Sequence, residues 1–299
     1  APSAVLASCA SAAASPSAAY MGCLADSGQF NLRIQRLEAM SNRRKAACGL
    51  TLHCDEASRY AHAHGQGYSD LHFMIPETIK DIDFGKGPYY ANQGDFNTAG
   101  YVNFATKTAI QKNMVAVGYG DFNSLRTVGM FNLLDNSNKD NAYVALEYIE
   151  FDGPFESPQN FNRLNLFAKY NTFIKGTDKL TLTASHFTSS WDASGQIPQR
   201  AVDNGTITRF GAIDDTEGGF TSRSNVNVQL QKTLSDASIF LANAFYSNYN
   251  FELYSNFTFF LEDPINGDQI KQFEDRNIYG MNAKIISENT DLKHYVEFE

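Results

Sequence analysis

From residue 112 to the C-terminus, apolar and polar side chains alternate one by one. That is the period of a strand whose two faces meet different surroundings. Within 163–174, Leu164, Leu166, Ala168 and Tyr170 share one face, and Arg163, Asn165, Lys169 and Asn171 the other. Within 179–189, Leu180, Leu182 and Ala184 oppose Thr181, Thr183 and Ser185. Val226, Val228 and Leu230 oppose Asn225, Asn227 and Gln229, and Tyr279, Met281, Ala283 and Ile285 oppose Asn282, Lys284 and Glu288. A face of neutral amides and hydroxyls can line water, whereas the apolar face must meet lipid or a protein core. The pattern predicts strands at 113–122, 124–135, 141–152, 163–174, 179–192, 221–234, 237–253 and 277–289, with a ninth beginning at the C-terminus.

The connections narrow the architecture. Those of one parity are short and polar, at 136–140, 175–178, 235–236 and 289–291. Most of the other parity are long, above all 193–220 and 254–276, with a tight exception at Phe122-Asn123-Ser124. Short turns on one side and long loops on the other mark a barrel that crosses a bilayer with strands. Several runs reach the roughly 9–11 residues such a strand needs, whereas sandwich strands are shorter, typically about 5–6 residues. Phe151, Phe155, Phe161, Trp191, Phe220, Phe257, Phe259 and Phe260 gather near the strand ends. They read either as an aromatic girdle at the bilayer surface or as ordinary loop packing.

Ahead of the strands, residues 70–107 read DLHFMIPETIKDIDFGKGPYYANQGDFNTAGYVNFATK. The run from Ile79 to Phe84 alternates, Gly85-Lys86-Gly87-Pro88 turns, Gln93-Gly94-Asp95 turns again, and Gly100 to Ala105 alternates once more. In residues and in order this stretch resembles the C-terminal end of the plug domain of TonB-dependent outer-membrane receptors. GQIPQRAV at 195–202, continuing to Asp214-Asp215-Thr216-Glu217-Gly218-Gly219, is similar to an extracellular loop region of the same receptors. The resemblance runs from about residue 62 to 299. It implies an all-β fold: the end of a plug at 61–108, then a partial transmembrane antiparallel β-barrel at 109–299. About eight to nine strands are present of the twenty-two of such transporters. It also implies a place in the outer membrane of a Gram-negative bacterium. There the chain would belong to a receptor that takes up a scarce ligand, such as siderophore-iron or another metal complex. The implied partners are the TonB energy-transducing complex, outer-membrane lipid and that ligand.

Residues 1–60 depart from this pattern. All four cysteines, Cys9, Cys23, Cys48 and Cys54, lie there, and no glycine-rich earlier plug strands are visible. The segment is unassigned and reads as out-of-frame translation, a fusion scar or a disordered stretch. The chain starts without Met and stops inside a strand-like run, so both ends read as cut. No TonB-interacting segment is visible, and the fragment alone is expected not to transport.

Charge and motifs remove other classes. The 299 residues carry a formal charge of −9 with the acids scattered, which argues against a nucleic-acid partner needing a basic stripe. No GxSxG elbow or Walker-type loop occurs, so no catalytic residue and no cofactor are expected. His62, His64 and His72 sit in a Gly-rich stretch without companion carboxylates and read as turn residues rather than metal ligands. Asp214, Asp215 and Glu217 lack the spacing of a calcium loop and read as solvated loop acids. Metal sites are therefore expected to be none, and ligand-binding residues are not assigned. The reading from another class is a soluble secreted β-rich module binding a carbohydrate or other ligand, with its apolar faces packed on each other.

Overall fold

The computed structural model describes residues 50–54, 57–58, 71–90, 100–136, 139–256, 262–263, 268–287 and 295–296. His62, His64, Cys9, Cys23, Cys48, the turn at 93–95, and Phe257, Phe259 and Phe260 lie outside these residues.

The alternating region forms one antiparallel sheet in strict chain order. Its strands are β5 (Met114–Gly120), β6 (Ser124–Asn136), β7 (Asp140–Phe151), β8 (Phe161–Lys175) and β9 (Asp178–Ala193), followed by β10 (Glu217–Ser235), β11 (Ser238–Ser255), β12 (Ile270–Ser287) and β13 (Tyr295–Val296). The sheet is not closed: β5 and β13 are its edges. Six of the eight long predicted strands agree to within two residues at both ends, β5 starting one residue and ending two inside its prediction. β10 and β12 instead begin at Glu217 and Ile270, well before the predicted 221 and 277, so both long loops are shorter than predicted. Bulges interrupt the ladder beside the short turns, at Asn132/Leu134, Phe173/Lys175 and Thr233/Ser235. They tighten the twist where each hairpin reverses. In the tight hairpin, Phe122 and Asn123 have φ of 59° and 56°, and Ser124 N–H closes the turn on Asp121 O at 3.2 Å.

Two faces follow from the pleat, as the alternation predicts. On β7, Tyr143, Ala145, Glu147, Ile149 and Phe151 are buried on the concave side, while Val144, Leu146 and Tyr148 point out. The convex side is apolar and uncovered: Val117 is 66% exposed, Tyr279 80% and Met281 56%. Tyrosine hydroxyls bracket this apolar belt. Tyr148 donates toward the long-loop side, to Glu150 at 2.8 Å, and Tyr246 to Asn277 at 2.7 Å. Tyr170 donates toward the short-turn side, to Asp140 at 3.4 Å. At about 3.3 Å per residue, the 19 residues of β10 span some 60 Å, so the strands continue well past a belt of about 25 Å.

A second sheet of four strands, in the order 57–58, 50–54, 100–106 and 79–86, accompanies the first. β3 (Ile79–Lys86) and β4 (Gly100–Thr106) pair antiparallel, as the alternation in 70–107 predicts. β1 (Leu50–Cys54) lies parallel to β4, and β2 (Ala57–Ser58) antiparallel to β1. Both fall in the segment for which the sequence suggests no element. Gly100, at φ +136°, lets the backbones meet: a Cβ there would come within 2.1 Å of Gly85 O. A single 3₁₀ turn, Pro76–Thr78, precedes β3. Thr78 fastens it, donating N–H and hydroxyl to Ile75 O at 3.0 and 2.7 Å.

The sequence around this turn buries Leu71, Phe73, Met74 and Ile79 with Val102 and Phe104 of β4, and Phe187 of the wall joins them. Ile75 and Ile110 pack with Val128, Met130, Tyr143 and Ala145. Each such side chain contributes about 1.5–3 kcal/mol when fully buried. These contacts hold the small sheet against the concave wall.

Candidate functional site

The concave wall meets the small sheet through polar groups that strand register brings together. Glu147 pairs with Val128 on β6 and with Asn165 on β8. Arg126 and Arg163, each two positions along, are therefore its diagonal neighbours on either side, a separation long side chains can bridge. Glu147 is fully buried. Its Oε1 accepts from Arg126 Nε at 2.8 Å and Nη2 at 2.6 Å, and its Oε2 from Arg163 Nη2 at 3.0 Å and Asn165 Nδ2 at 2.9 Å. Arg126 reaches on into the small sheet and forks onto Glu77 of the 3₁₀ turn, with both bonds at 2.8 Å. Two carboxylates and two guanidiniums thus alternate in a neutral chain from the plug-like part to the wall. The bidentate fork gives this link geometric as well as electrostatic definition.

Further bonds from the wall hold the link into β5. Asn165 donates to His72 O at 2.9 Å and Lys169 to Thr106 Oγ1 at 2.6 Å. Tyr143 OH donates to Lys107 O at 2.8 Å, Asn171 to Thr108 O at 2.6 Å and Asn132 to Ile110 O at 3.0 Å. On β10, buried Arg223 lies between Phe73 of the plug-like part, 5.0 Å from the ring centre, and Tyr249, at 4.5 Å. Between Phe73, Ile75 and Thr106 on one side and Thr183, Ser185, Asn225 and Asn227 on the other is a cavity of about 20 Å³. A single water fits that volume.

Toward the long loops the concave wall becomes aromatic. Phe151 and Phe161 pack at 5.0 Å, Tyr249 and Phe251 stack at 6.4 Å, and Trp191 touches both groups. Gly219 makes this possible, because a Cβ there would meet the Trp191 ring at 2.6 Å. The girdle reading of Phe151, Phe161 and Trp191 is therefore corrected: they face inward and pack on one another. Phe220 faces outward and is exposed.

Above this basin the loop 194–216 is joined to Asn256, just after β11, and to Gln269, just before β12. Asp214 accepts from Asn256 Nδ2 at 3.1 Å and from Thr216 N–H at 3.0 Å and Oγ1 at 2.6 Å, and Gln269 donates to Thr216 Oγ1 at 2.8 Å. A short helix, α1 (Gln199–Asp203), lies within the first loop. Asp214 stays below the usual carboxylate range, against its burial, because Thr216 and Asn256 donate to it. Glu217 is buried rather than solvated, unlike the sequence reading. Burial pushes its carboxyl up to about 7; the Asn256 N–H opposes this and the Asp214 charge adds to it.

Of the histidines, His72 is buried and its carbonyl anchors Asn165. Among the described residues, no three His, Cys, Asp or Glu are grouped to hold a metal ion. The chain Glu77–Arg126–Glu147–Arg163 escapes sequence reading. Its one local signal is an acid among inward positions of β7, flanked by Ala145 and Ile149.

A sequential antiparallel sheet, apolar outside and polar inside, with a small sheet bound to its concave face, has the fold of part of a TonB-dependent outer-membrane receptor. The siderophore receptor PiuA from Acinetobacter baumannii superposes over 79% of this chain with a TM-score of 0.63 and 13% identity. The ferric-catecholate import receptor Fiu from E. coli K12 matches over 79% at a TM-score of 0.57 and 11% identity, and the copper transporter OprC over 79% at 0.56 and 14%. The chain spans only 35%, 39% and 35% of the lengths of these three. No protein-family model and no curated protein sequence matches it.

Proposed function

We propose that the chain is the plug end (61–108) and first barrel strands (109–299) of an outer-membrane receptor. Its cargo would be a scarce ligand, siderophore-iron or another metal complex, with energy from the TonB system of a Gram-negative bacterium. The role is transport, not catalysis. The observation that carries this reading is the neutral chain Glu77–Arg126–Glu147–Arg163, which fastens the plug-like part to the inside of a wall whose outside is apolar. A receptor of this kind needs an occluding part that is held by a polar, reversible interface, so that differential ligand affinity can shift it between states. The aromatic basin around Trp191 would form one wall of the ligand site, with the loop 194–216 above it. β1 and β2, at 50–54 and 57–58, join the plug-end sheet, and residues 1–49 are left without a role.

The exposed convex face favours this reading over a soluble module, which would leave an apolar surface of this extent uncovered in water.

Trp191 is the only tryptophan in the sequence, which gives a direct test. Titration of the detergent-solubilised chain with a panel of ferric siderophores and other metal complexes should give saturable quenching of its emission by at least one. No saturable quenching by any of them, with the chain folded by circular dichroism, would refute the receptor reading.

A further inference from the structure

On the long-loop side of the apolar belt the convex face changes chemistry. The hydrogen-bonded row His186, Ser224, Asn248 and Asn277 crosses β9 to β12 directly beyond the row that holds Tyr246 and Tyr279. The Tyr246 hydroxyl points up into it, donating to Asn277 Oδ1. Tyrosines of this kind sit at headgroup level, so on the membrane reading proposed above, the row lies in the headgroup layer.

The row is a ladder of amides, a hydroxyl and an imidazole. Asn248 donates to Asn277 at 3.1 Å, Asn250 donates to Asn248 at 2.9 Å, and His186 Nδ1 shares a hydrogen bond with Ser224 at 2.9 Å. Two rows further out, Phe220 and Phe273 flank Glu252 in register, and Phe273 is 76% exposed. At about 4.8 Å between strands and 6.6 Å between rows, the patch measures roughly 14 by 13 Å. Its outward positions include the acids Asp275 and Glu252 and neither Lys nor Arg. Lys271 lies one row beyond and is paired with Glu252 at 3.2 Å.

Phosphate recognition relies on Arg and Lys, which this patch lacks. Amides and hydroxyls both donate and accept, as sugar hydroxyls require, and the two phenylalanines offer flat apolar faces for the C–H side of a pyranose. Small polar residues with aromatic anchors are also the composition of adaptable contact surfaces. We propose that this face of β9–β12 binds the uncharged sugars of a glycolipid headgroup in the outer leaflet, and not its phosphates. The inference rests on the membrane reading and goes beyond it in naming a partner.

The test uses the full chain with its four cysteines replaced by serine and one reporter, Ser224→Cys in the patch or Val226→Cys in the belt. Each is placed in phosphatidylethanolamine–phosphatidylglycerol vesicles alone, with lipid A, or with lipopolysaccharide carrying core sugars, and labelled with a charged maleimide. Core sugars should slow labelling of the Ser224→Cys chain at least fivefold, lipid A should not, and Val226→Cys should be protected throughout. Adding Asn248→Ala, Asn277→Ala and Phe273→Ser should abolish the slowing. Equal slowing by lipid A, no slowing, or slowing that survives the triple substitution would each overturn the proposal while Val226→Cys stays protected. Free labelling of Val226→Cys in every vesicle would instead remove the membrane reading, and the proposal with it.

Discussion

The concave and convex faces of one sheet carry opposite chemistry from the same strands. On β8 the inward positions Arg163, Asn165, Lys169 and Asn171 are buried and polar, and outward Leu166 is exposed. A water-soluble sheet arranges this the other way round. The inversion shows that the apolar surface is made for contact with a partner outside the chain, while the polar surface is where the chain recognises itself. Stability on the inside then comes from matched charge and hydrogen bonds as well as burial.

The sharpest way to break the comparison is to remove one charge from the inside. Glu147→Ala leaves Arg126 and Arg163 without their shared carboxylate, and breaking a buried pair in this way costs about 3–5 kcal/mol. Urea titration followed by Trp191 emission should show a loss of that size. Replacing Glu147 by Met together with Arg126 by Leu and Arg163 by Met should recover much of it, because buried ion pairs are often no better than apolar residues of similar volume. A loss below about 1 kcal/mol for Glu147→Ala, the scale of a surface pair, would mean that the chain of charges does not hold the plug-like part.

Much of this inversion was legible before the structure, because parity alone assigns faces. Leu164, Leu166 and Ala168 could be placed opposite Arg163, Asn165 and Lys169 by counting in twos. Parity also turns Phe151 inward, on the face of Glu147 and Ile149, against the girdle reading of Phe151 and Trp191. The start of β12 was invisible for a different reason. From Lys271 to Asn277 both faces are polar apart from Phe273, since the strand has left the belt, so the period-two contrast disappears. The charge chain needs the register of three strands and a turn more than 80 residues before β8 to close it, and no local pattern encodes that. The parallel pairing of β1 with β4 is equally non-local.

An outward substitution should have the next largest effect. Val228→Arg puts a charge on the exposed convex face near the middle of the belt, where arginine costs about 2–4 kcal/mol in a bilayer. Co-flotation with vesicles should fall accordingly, whereas Thr183→Ser on the concave side should leave it unchanged. If Val228→Arg instead improves recovery in detergent-free buffer with no loss of vesicle association, the convex face does not meet lipid.

Gly219→Ala probes the boundary between the polar and aromatic parts of the inner wall. Its Cβ would come within 2.5 Å of Glu252 O and 2.6 Å of the Trp191 ring, and overpacking of this kind costs about 1–3 kcal/mol. A shift in Trp191 emission with a modest fall in the urea midpoint is expected. An unchanged spectrum would mean that the indole does not lie against Gly219.

The smallest effect should be confined to the joined outer loops, and it is set by pH. Glu217 sits at the outer end of β10, nine residues beyond Val226 of the belt, with its carboxyl raised from 4.5 to about 7. For an acid, a raised value in the folded state means that folding disfavours its ionisation. Its neutral form therefore leaves the joint intact below about pH 4.5. As pH rises from there to about 7 the folded joint must carry a buried negative charge beside Asp214, and stability falls until the group is fully ionised. Amide exchange at Asn256 and Thr216 should accordingly speed up between pH 5 and 7.5 beyond the ordinary base-catalysed trend. Glu217→Gln, which keeps the shape and loses the titration, should restore the ordinary trend across that window, with no change in the urea midpoint of the Glu147-centred wall. Extra acceleration that persists in Glu217→Gln would assign the pH response to another group. A response that reaches Arg126 and Glu147 would show that the outer loops and the inner charge chain are coupled instead of separate.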